Sequence, residues 1–501
     1  MPYLYEKIDG IREAGRGVAM PADFPRNLNP SFELRPYQIA AFENFFTYFE
    51  SSELRIYPAQ TLFHMATGSG KTLIMAGLIL YLYKKGYRDF LFFVNLSNIV
   101  QKTKDNFLNV ASSKYLFAQT VIIGGESVAI KEVSNFQYSD PDAINICFTT
   151  TQGLHTDLWM TKENSLSLED FAERKVVLIS DEAHHLNAET LQGNTAKMNA
   201  EEADAYHSWE STVRTIFEAN PENVLLEFTA TCDIKNPLLR KAYENKIIFD
   251  YPLYKFRADR YSKEIMTLRS DLSLLDRELQ AVILSQYRLK VFQDQRILMK
   301  PVVLFKAAKI AESKQQQMDF QNMIDSLSGA DIARIATTAS TDVMKRAFAY
   351  FKKKKISFEQ LAQELKVDFS EAHVTSANDD REAEEQQLLL NSLEDYENPY
   401  RAIFEVKKLD EGWDVLNLFD IVRLYETKEA KSGKLARSTV SEAQLIGRGA
   451  RYYPFQLTPD QPKFQRKFDE FGENTLRICE ELYYHCQNSS KYIEELKSAL
   501  R

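Results

Sequence analysis

The sequence predicts an α/β protein: two parallel-sheet domains in tandem, joined by a helical segment. Two alternations of strand and helix patterns, and the gap between them, carry this prediction. From Arg35 to about Phe249, short β-branched or aromatic runs alternate with helical patterns. FLFFVNL (90–96), INICFTT (144–150), VVLISDEA (176–183) and NVLLEFTAT (223–231) are near-continuously apolar, as strands covered on both faces are. A second alternation opens at PVVLFKA (301–307), continues through ARIATT (333–338), and resumes at RAIFEVKKL (401–409) and FDIVRLYET (419–427). Between the two, residues 257–300 are polar, leucine-spaced and free of glycine and proline, the pattern of long helices.

Taken in order, residues 1–34 are rich in proline, glycine and charge and read as an extension that wraps or frays. Residues 35–255 make the first sheet domain and 256–300 the helical connector. Residues 301–475 make the second domain, with a charged, helical stretch at about 340–394 as an insertion or as outer helices of the sheet. Residues 476–501, which contain RICEELYYHCQNSSKYIEELKSALR, form a helical tail. A chain of 501 residues exceeds what one compact core organises, which agrees with this division.

Composition bounds the function. No apolar run reaches the roughly 18 residues that a membrane-crossing helix needs. The N-terminus, MPYLYEKIDGIREAGRG, lacks a signal peptide's apolar core. A cytoplasmic protein with no membrane partner is expected. The four cysteines, Cys147, Cys232, Cys479 and Cys486, are scattered and point to neither a zinc site nor a disulfide framework. A net charge of −9 argues against indiscriminate polyanion binding, but local charge decides whether a nucleic-acid groove exists.

FHMATGSGKTLIMA (63–76) carries the chemistry. A turn that wraps phosphates needs exposed backbone N–H groups, little side chain, a helix start beneath, a lysine and a hydroxyl. Ala66, Thr67, Gly68, Ser69, Gly70, Lys71 and Thr72 supply these between an apolar strand and a helix. Lys71 is expected on the β- and γ-phosphates of ATP and Thr72 on Mg²⁺. A glycine-rich turn that merely starts a helix is the plainer reading, and it leaves the intact GSGKT unexplained. In VVLISDEAHHLN, Asp181 and Glu182 follow a buried strand. Asp181 would join the Mg²⁺ shell, and Glu182 would polarise the attacking water. The histidines that follow are not spaced as a zinc pair.

The order GSGKT, DEAH (181–184), TAT (229–231), LDEGWDV (409–415) and QLIGRGAR (444–451), with RPYQ (35–38) upstream, resembles the superfamily 2 helicases and translocases. More narrowly, KLDEGWDVLNL and EELYYHCQNSSKYIEEL resemble the Res subunit of type III restriction enzymes. The resemblance implies two RecA-like domains that sandwich one ATP. It implies that Gln38 reads the adenine, and that Arg448 and Arg451, with Gln444 nearby, lie on the opposite wall of the cleft, at least one of them acting as the arginine finger. The superfamily uses A-x-x-G-x-G-K-T, which needs no glycine at its first position; here Gly68, Gly70, Lys71 and Thr72 match it and Met65 stands where the pattern has alanine. Met65 is then expected to pack against the sheet. Gly412 and Asp414 would couple the nucleotide cleft to the strand-binding face, with Trp413 a core residue rather than a stacking platform. TAT would relay nucleotide state to the nucleic acid. Asn95, Ser97, Thr150 and Gln152 are candidate contacts to the nucleic-acid backbone, and each could equally cap a helix.

The resemblance implies duplex DNA as the track and a methyltransferase or specificity subunit as partner; cleavage is left to a separate nuclease or a truncated part, or the protein only translocates. Res subunits carry a nuclease built around E-x-K. Here Glu405–Lys407 matches that triplet, but it leads straight into DEGWDV and reads as part of the motor. The chain stops about where a nuclease domain is expected, giving a motor without cleavage chemistry. The motifs do not separate DNA from RNA, since both are gripped by phosphates. An RNA-directed helicase of the same superfamily therefore stays open, as does a nucleotide-gated interaction protein.

Overall fold

The structure is a computed structural model of the chain. It describes residues 2–94, 97–159, 166–181, 210–232, 234, 237–378, 389–406, 413, 415–425, 437–469 and 474–487. Two compact units divide it, Met1–Pro252 and Leu253–Arg501.

The first unit is built on a seven-stranded sheet in the order β5-β6-β2-β7-β8-β1-β9. Its strands are β1 (Ala59–Met65), β2 (Asp89–Val94), β5 (Ile130–Glu132), β6 (Ile144–Thr150), β7 (Val176–Asp181), β8 (Val224–Thr229) and β9 (Ile247–Tyr251). Every pairing in it is parallel. A separate antiparallel hairpin, β3 (Val121–Ile123) and β4 (Glu126–Val128), turns through Gly124 and Gly125. β2 and β8 are buried at every position, as strands covered by helices on both faces must be. The helix Lys71–Lys84 is buried from Leu73 to Tyr83 and lies inside the unit rather than on its surface. It packs on the helix Pro36–Glu50, with Phe46 stacked on Tyr81 at 4.2 Å between centroids. Gly77 permits that approach, because a Cβ there would meet the Phe42 ring at 2.4 Å. The N-terminal residues wrap. The helix Leu4–Glu13 buries Leu4 and Ile8, and Arg12 pairs with Glu43.

The second unit has a six-stranded sheet, β10-β15-β14-β11-β13-β12, again parallel throughout. Its strands are β10 (Glu264–Ser270), β11 (Val302–Lys306), β12 (Val374–Ala377), β13 (Ala402–Glu405), β14 (Leu418–Arg423) and β15 (Glu481–Gln487). The helices Leu274–Asp294, Ile310–Ser326, Asp342–Lys353 and Phe358–Asp368 build a core on one face. Trp413 and the helix Arg437–Gly449 contribute to a core on the other.

Four segments differ from the sequence expectation. ARIATT belongs to a helix, Gly329–Thr338, because Ile332 and Ile335 fall on one buried face and Ser328 with Asp331 forms a capping box. EELYYHC is the strand β15, not a helix. It lies between β10 and β14 and is buried on both faces, so it shows no alternation that would have marked it as a strand. Residues 257–300 are helical only over Leu274–Asp294 in their longer part, and Glu264–Ser270 is the edge strand β10. Val374–Ala377, within the expected helical stretch, is the opposite edge strand β12. Among the described residues no helix is long and apolar enough to cross a membrane.

Candidate active site

A parallel sheet brings the C-terminal ends of its strands to one edge, where ligands of such folds bind. In the first unit, β1 ends at Met65, which is fully buried, and the chain turns through residues 66–70 into the helix Lys71–Lys84. The Ala66 N–H donates to the Tyr251 carbonyl at the end of β9 (2.9 Å), and the Ser69 N–H to the Ala66 carbonyl (3.2 Å). Gly68 and Gly70 have φ of +80° and +85°, a region that residues with a Cβ avoid. At Gly70 a Cβ would also lie 2.4 Å from Nε2 of Gln38. Lys71 Nζ donates to the Met65 carbonyl across the turn (3.4 Å). The first N–H groups of a helix have no partner within it, which suits the start of a helix to an anion. A loop without Cβ atoms at 68 and 70, followed by a lysine and a hydroxyl at the helix start, fits a nucleotide's phosphates and their magnesium.

The upstream element braces this loop. Gln38 is buried; its Oε1 accepts from the Arg35 N–H (2.9 Å) and its Nε2 donates to the Ser69 carbonyl (2.9 Å). The Tyr37 hydroxyl donates to the same carbonyl (2.8 Å), and its ring stacks on Tyr251 at 4.4 Å. One residue before the turn, His64 Nδ1 lies 2.7 Å from Asp250 Oδ1, a buried contact that ties β1 to β9. Tyr37, Tyr251, His64 and Asp250 were not singled out from sequence. RPYQ contains Tyr37, but nothing in the chain marks IIFDY (247–251) as the strand that would support it.

Along the same edge, β8 lies between β1 and β7. Asp181 is the partly exposed last residue of β7 and stands level with Phe228, which in turn pairs with Phe63. Two strand spacings therefore separate β1 from β7, roughly 10 Å. Thr229 ends β8 level with His64, and its hydroxyl accepts from the Thr231 N–H (3.1 Å), closing TAT into a turn. Thr150 ends β6, and its hydroxyl accepts from the Gly153 N–H (3.0 Å), so it caps the helix Thr151–Trp159. Gln152 is exposed on the first turn of that helix. Ser97 opens the helix Ser97–Leu108 after β2. Asn95, Glu182 and Gly412 lie outside the described residues.

In the second unit, QLIGRGAR spans the end of the helix Arg437–Gly449 and the turn after it. Gln444, Arg448 and Arg451 are all partly exposed. Arg448 Nη1 donates to the Trp413 carbonyl (3.1 Å), which joins the two motifs directly. Trp413 is a core residue, as expected, and its Nε1 donates to the Leu390 carbonyl (2.9 Å). In the middle of the helix, buried Glu442 pairs with Arg423 at the end of β14 (2.9 Å). Glu405 is fully buried at the end of β13 and pairs with Lys306 at 2.5 Å; Lys407 lies outside the described residues.

Comparison with known proteins adds to this geometry. The family model described as "Type III restriction enzyme, res subunit" matches residues 31–234. A curated protein of Haemophilus influenzae, "Probable type III restriction-modification enzyme HindVIP Res subunit", is 36% identical over 474 residues, 85% of this chain and 90% of that protein. The chain belongs to the Res-subunit family of type III restriction enzymes. This places it among the superfamily 2 helicases and makes its two parallel-sheet units RecA-like. A second family model, described as an N-terminal region, matches residues 438–501. An uncharacterized Haemophilus influenzae protein is 50% identical over 74 residues, 15% of this chain and 16% of that protein. Among solved structures, the DUF1998 helicase MrfA bound to DNA and AMPPNP gives a TM-score of 0.49 at 12% identity, covering 97% of this chain and 53% of that one. A fragment of a type I restriction HsdR subunit from Vibrio vulnificus YJ016 gives 0.46 at 12% identity, with 97% and 69% covered. In this Res-family chain the described site residues fall into two groups, a phosphate loop with Asp181 in one unit and, in the other, the arginine-bearing QLIGRGAR motif bonded to Trp413.

Proposed function

We propose that this Res-family chain is a nucleic-acid-dependent ATPase that translocates on, or locally melts, duplex DNA in a cytoplasmic restriction system. The observation that carries the reading is the turn over residues 66–72, with two left-handed glycines and Lys71 at a helix start on the edge where β7 presents Asp181. Lys71 neutralises the β- and γ-phosphates. Thr72 and Asp181 would hold magnesium, which would supply charge neutralisation on the phosphate oxygens. Glu182 takes the proton of the attacking water. Arg448 and Arg451 stabilise charge on the transferring phosphoryl group when the second unit closes on the nucleotide, and Gln444 assists them. Hydrolysis then depends on closure, which is how an ATPase becomes a motor.

Gln38 has a double role in this reading. It faces the adenine as the family pattern expects, and its amide sets the Ser69 carbonyl and with it the loop. Asn95, Ser97, Thr150, Gln152 and Gly412 form the track for the DNA backbone. Partners are a modification or specificity subunit and a separate nuclease. The E-x-K at Glu405–Lys407 is assigned to the fold, because a carboxylate that is fully buried and paired with Lys306 is poorly placed to hold a metal for phosphodiester cleavage.

Two substitutions test the site. Lys71→Ala is expected to lower ATP turnover by on the order of 10²–10³-fold, the usual cost of removing a charge-stabilising group. Glu182→Gln is expected to bind nucleotide with parental affinity while turnover is lost. Parental turnover in Glu182→Gln would remove it as the base, and parental turnover in Lys71→Ala would remove the site.

A further inference from the structure

Lys263 carries no motif, yet alongside the Arg448–Trp413 bond it ties the end of QLIGRGAR's helix to the residues that directly follow DEGWDV. It is completely buried, just before β10. An ammonium has three N–H donors and no acceptor. All three of those on Lys263 are used, on the carbonyls of Leu416 (2.7 Å), Leu418 (2.7 Å) and Gly449 (2.9 Å). Leu416 and Leu418 lie directly after DEGWDV. Gly449 is the last residue of the helix that carries Gln444 and Arg448. The Lys263 main-chain N–H adds a bond to the Ala450 carbonyl (2.6 Å), and its neighbour Ser262 forms a β-bridge with Arg451. The ammonium also stands 4.1 Å from the centre of the Phe419 ring.

The placement has a physical logic. The last carbonyls of a helix have no partner within it and carry partial negative charge, so a cation there is favourable. Burying that cation costs free energy unless every proton is bonded, which is the case here. Lys263 therefore holds one helix end and one loop at a fixed separation, and Arg448 and Arg451 lie within two residues of the point it grips.

We infer that Lys263 is a positioning residue for ATP hydrolysis, one that fixes where Arg448 and Arg451 stand relative to the DEGWDV segment. The inference rests on the ATPase reading above. It requires that loss of the clip misplace the arginines without removing the phosphate site in the other unit. Lys263→Met keeps the aliphatic stem and loses all three donors. It is expected to lower kcat for ATP by about tenfold or more while leaving KM within about twofold, the pattern of an interaction made in the transition state. In a double-mutant cycle with Arg448→Lys, the two losses are expected to be strongly non-additive, since one residue acts through the other.

The experiment measures steady-state ATP hydrolysis of the full chain, with circular dichroism and a thermal melt on each variant. If Lys263→Met does not fold, Lys263→Arg replaces it, because a planar guanidinium keeps the charge but cannot place three donors where the ammonium does. A folded variant with parental kcat overturns the inference, and so do additive losses in the cycle. Failure of both variants to fold also overturns it, in favour of a role in core stability alone. If the parent chain hydrolyses no ATP with any polymer, the ATPase reading fails and takes this inference with it. An active parent with an unchanged Lys263 variant removes the inference only.

Discussion

Glu278, on the helix Leu274–Asp294, is a fully buried carboxyl group, and neither of its oxygens has a hydrogen-bond partner among the described residues. Burial, and then the nearby charge of Asp319, pushes its pKa well above the ordinary carboxylate range. The native state therefore holds a proton that the unfolded state has released, in the window from about pH 4.5 up to the raised native value. Across that window stability falls as pH rises, and above it the penalty is complete. Glu278→Met lacks this slope. It is expected to raise stability at pH 8 by about 1–3 kcal/mol and to change it far less at pH 4, with urea titrations at the two values as the check. Gly70 works in the opposite sense. Gly70→Ala puts a Cβ into a left-handed residue and against Gln38, and it is expected to cost the first unit roughly 1–2 kcal/mol from backbone strain alone. Denaturant titration followed by a first-unit probe measures it. The two residues also differ in legibility. Gly70 could be read from sequence because a phosphate loop imposes spacing on glycine, lysine and threonine. Glu278 and Lys263 could not, because a buried charge is defined by what surrounds it, and those neighbours lie far away along the chain.

At the scale of elements, the same distinction explains which strands were legible. β2, β6, β7 and β8 stand out as apolar runs. β15 carries Glu481, His485 and Gln487 inside an aromatic run, so its composition passes for a helix face. His485 is met by a charged cluster that only the fold assembles. Arg288, from the helix Leu274–Asp294, pairs with Asp420 on β14, and its Nε donates to the Ile478 carbonyl (2.8 Å). His485 Nε2 lies 3.0 Å from the other oxygen of Asp420. Arg288, Asp420 and His485 are all fully buried. The cluster is also what makes the segment read as a connector an integral part of the second unit. Asp420→Ala strands a buried guanidinium and is expected to cost about 3–5 kcal/mol. That is a large share of the roughly 5–15 kcal/mol that holds a domain together. Denaturation is expected to show an early transition for the second unit while Trp159, in the first, reports an unchanged one. Parental behaviour of Asp420→Ala would show that the cluster contributes no net stability.

At the scale of the whole molecule, one chain holds two parallel-sheet units with different equipment. The first has a phosphate loop braced by Gln38, Tyr37 and Tyr251, with Asp181 on the same sheet edge. The second has its arginine-bearing helix end fastened to Trp413 by Arg448 and to Leu416 and Leu418 by Lys263. Neither set makes a motor by itself, and the proposal is that ATP and DNA make them act together. The most direct measurement is steady-state ATP hydrolysis by the full chain and by Lys71→Ala, with no polymer, duplex DNA, single-stranded DNA and RNA. Duplex DNA is expected to raise the parental rate by about tenfold or more, and Lys71→Ala is expected to remove the stimulated rate. A parental rate that no polymer changes, or a stimulated rate that survives in Lys71→Ala, would contradict the account.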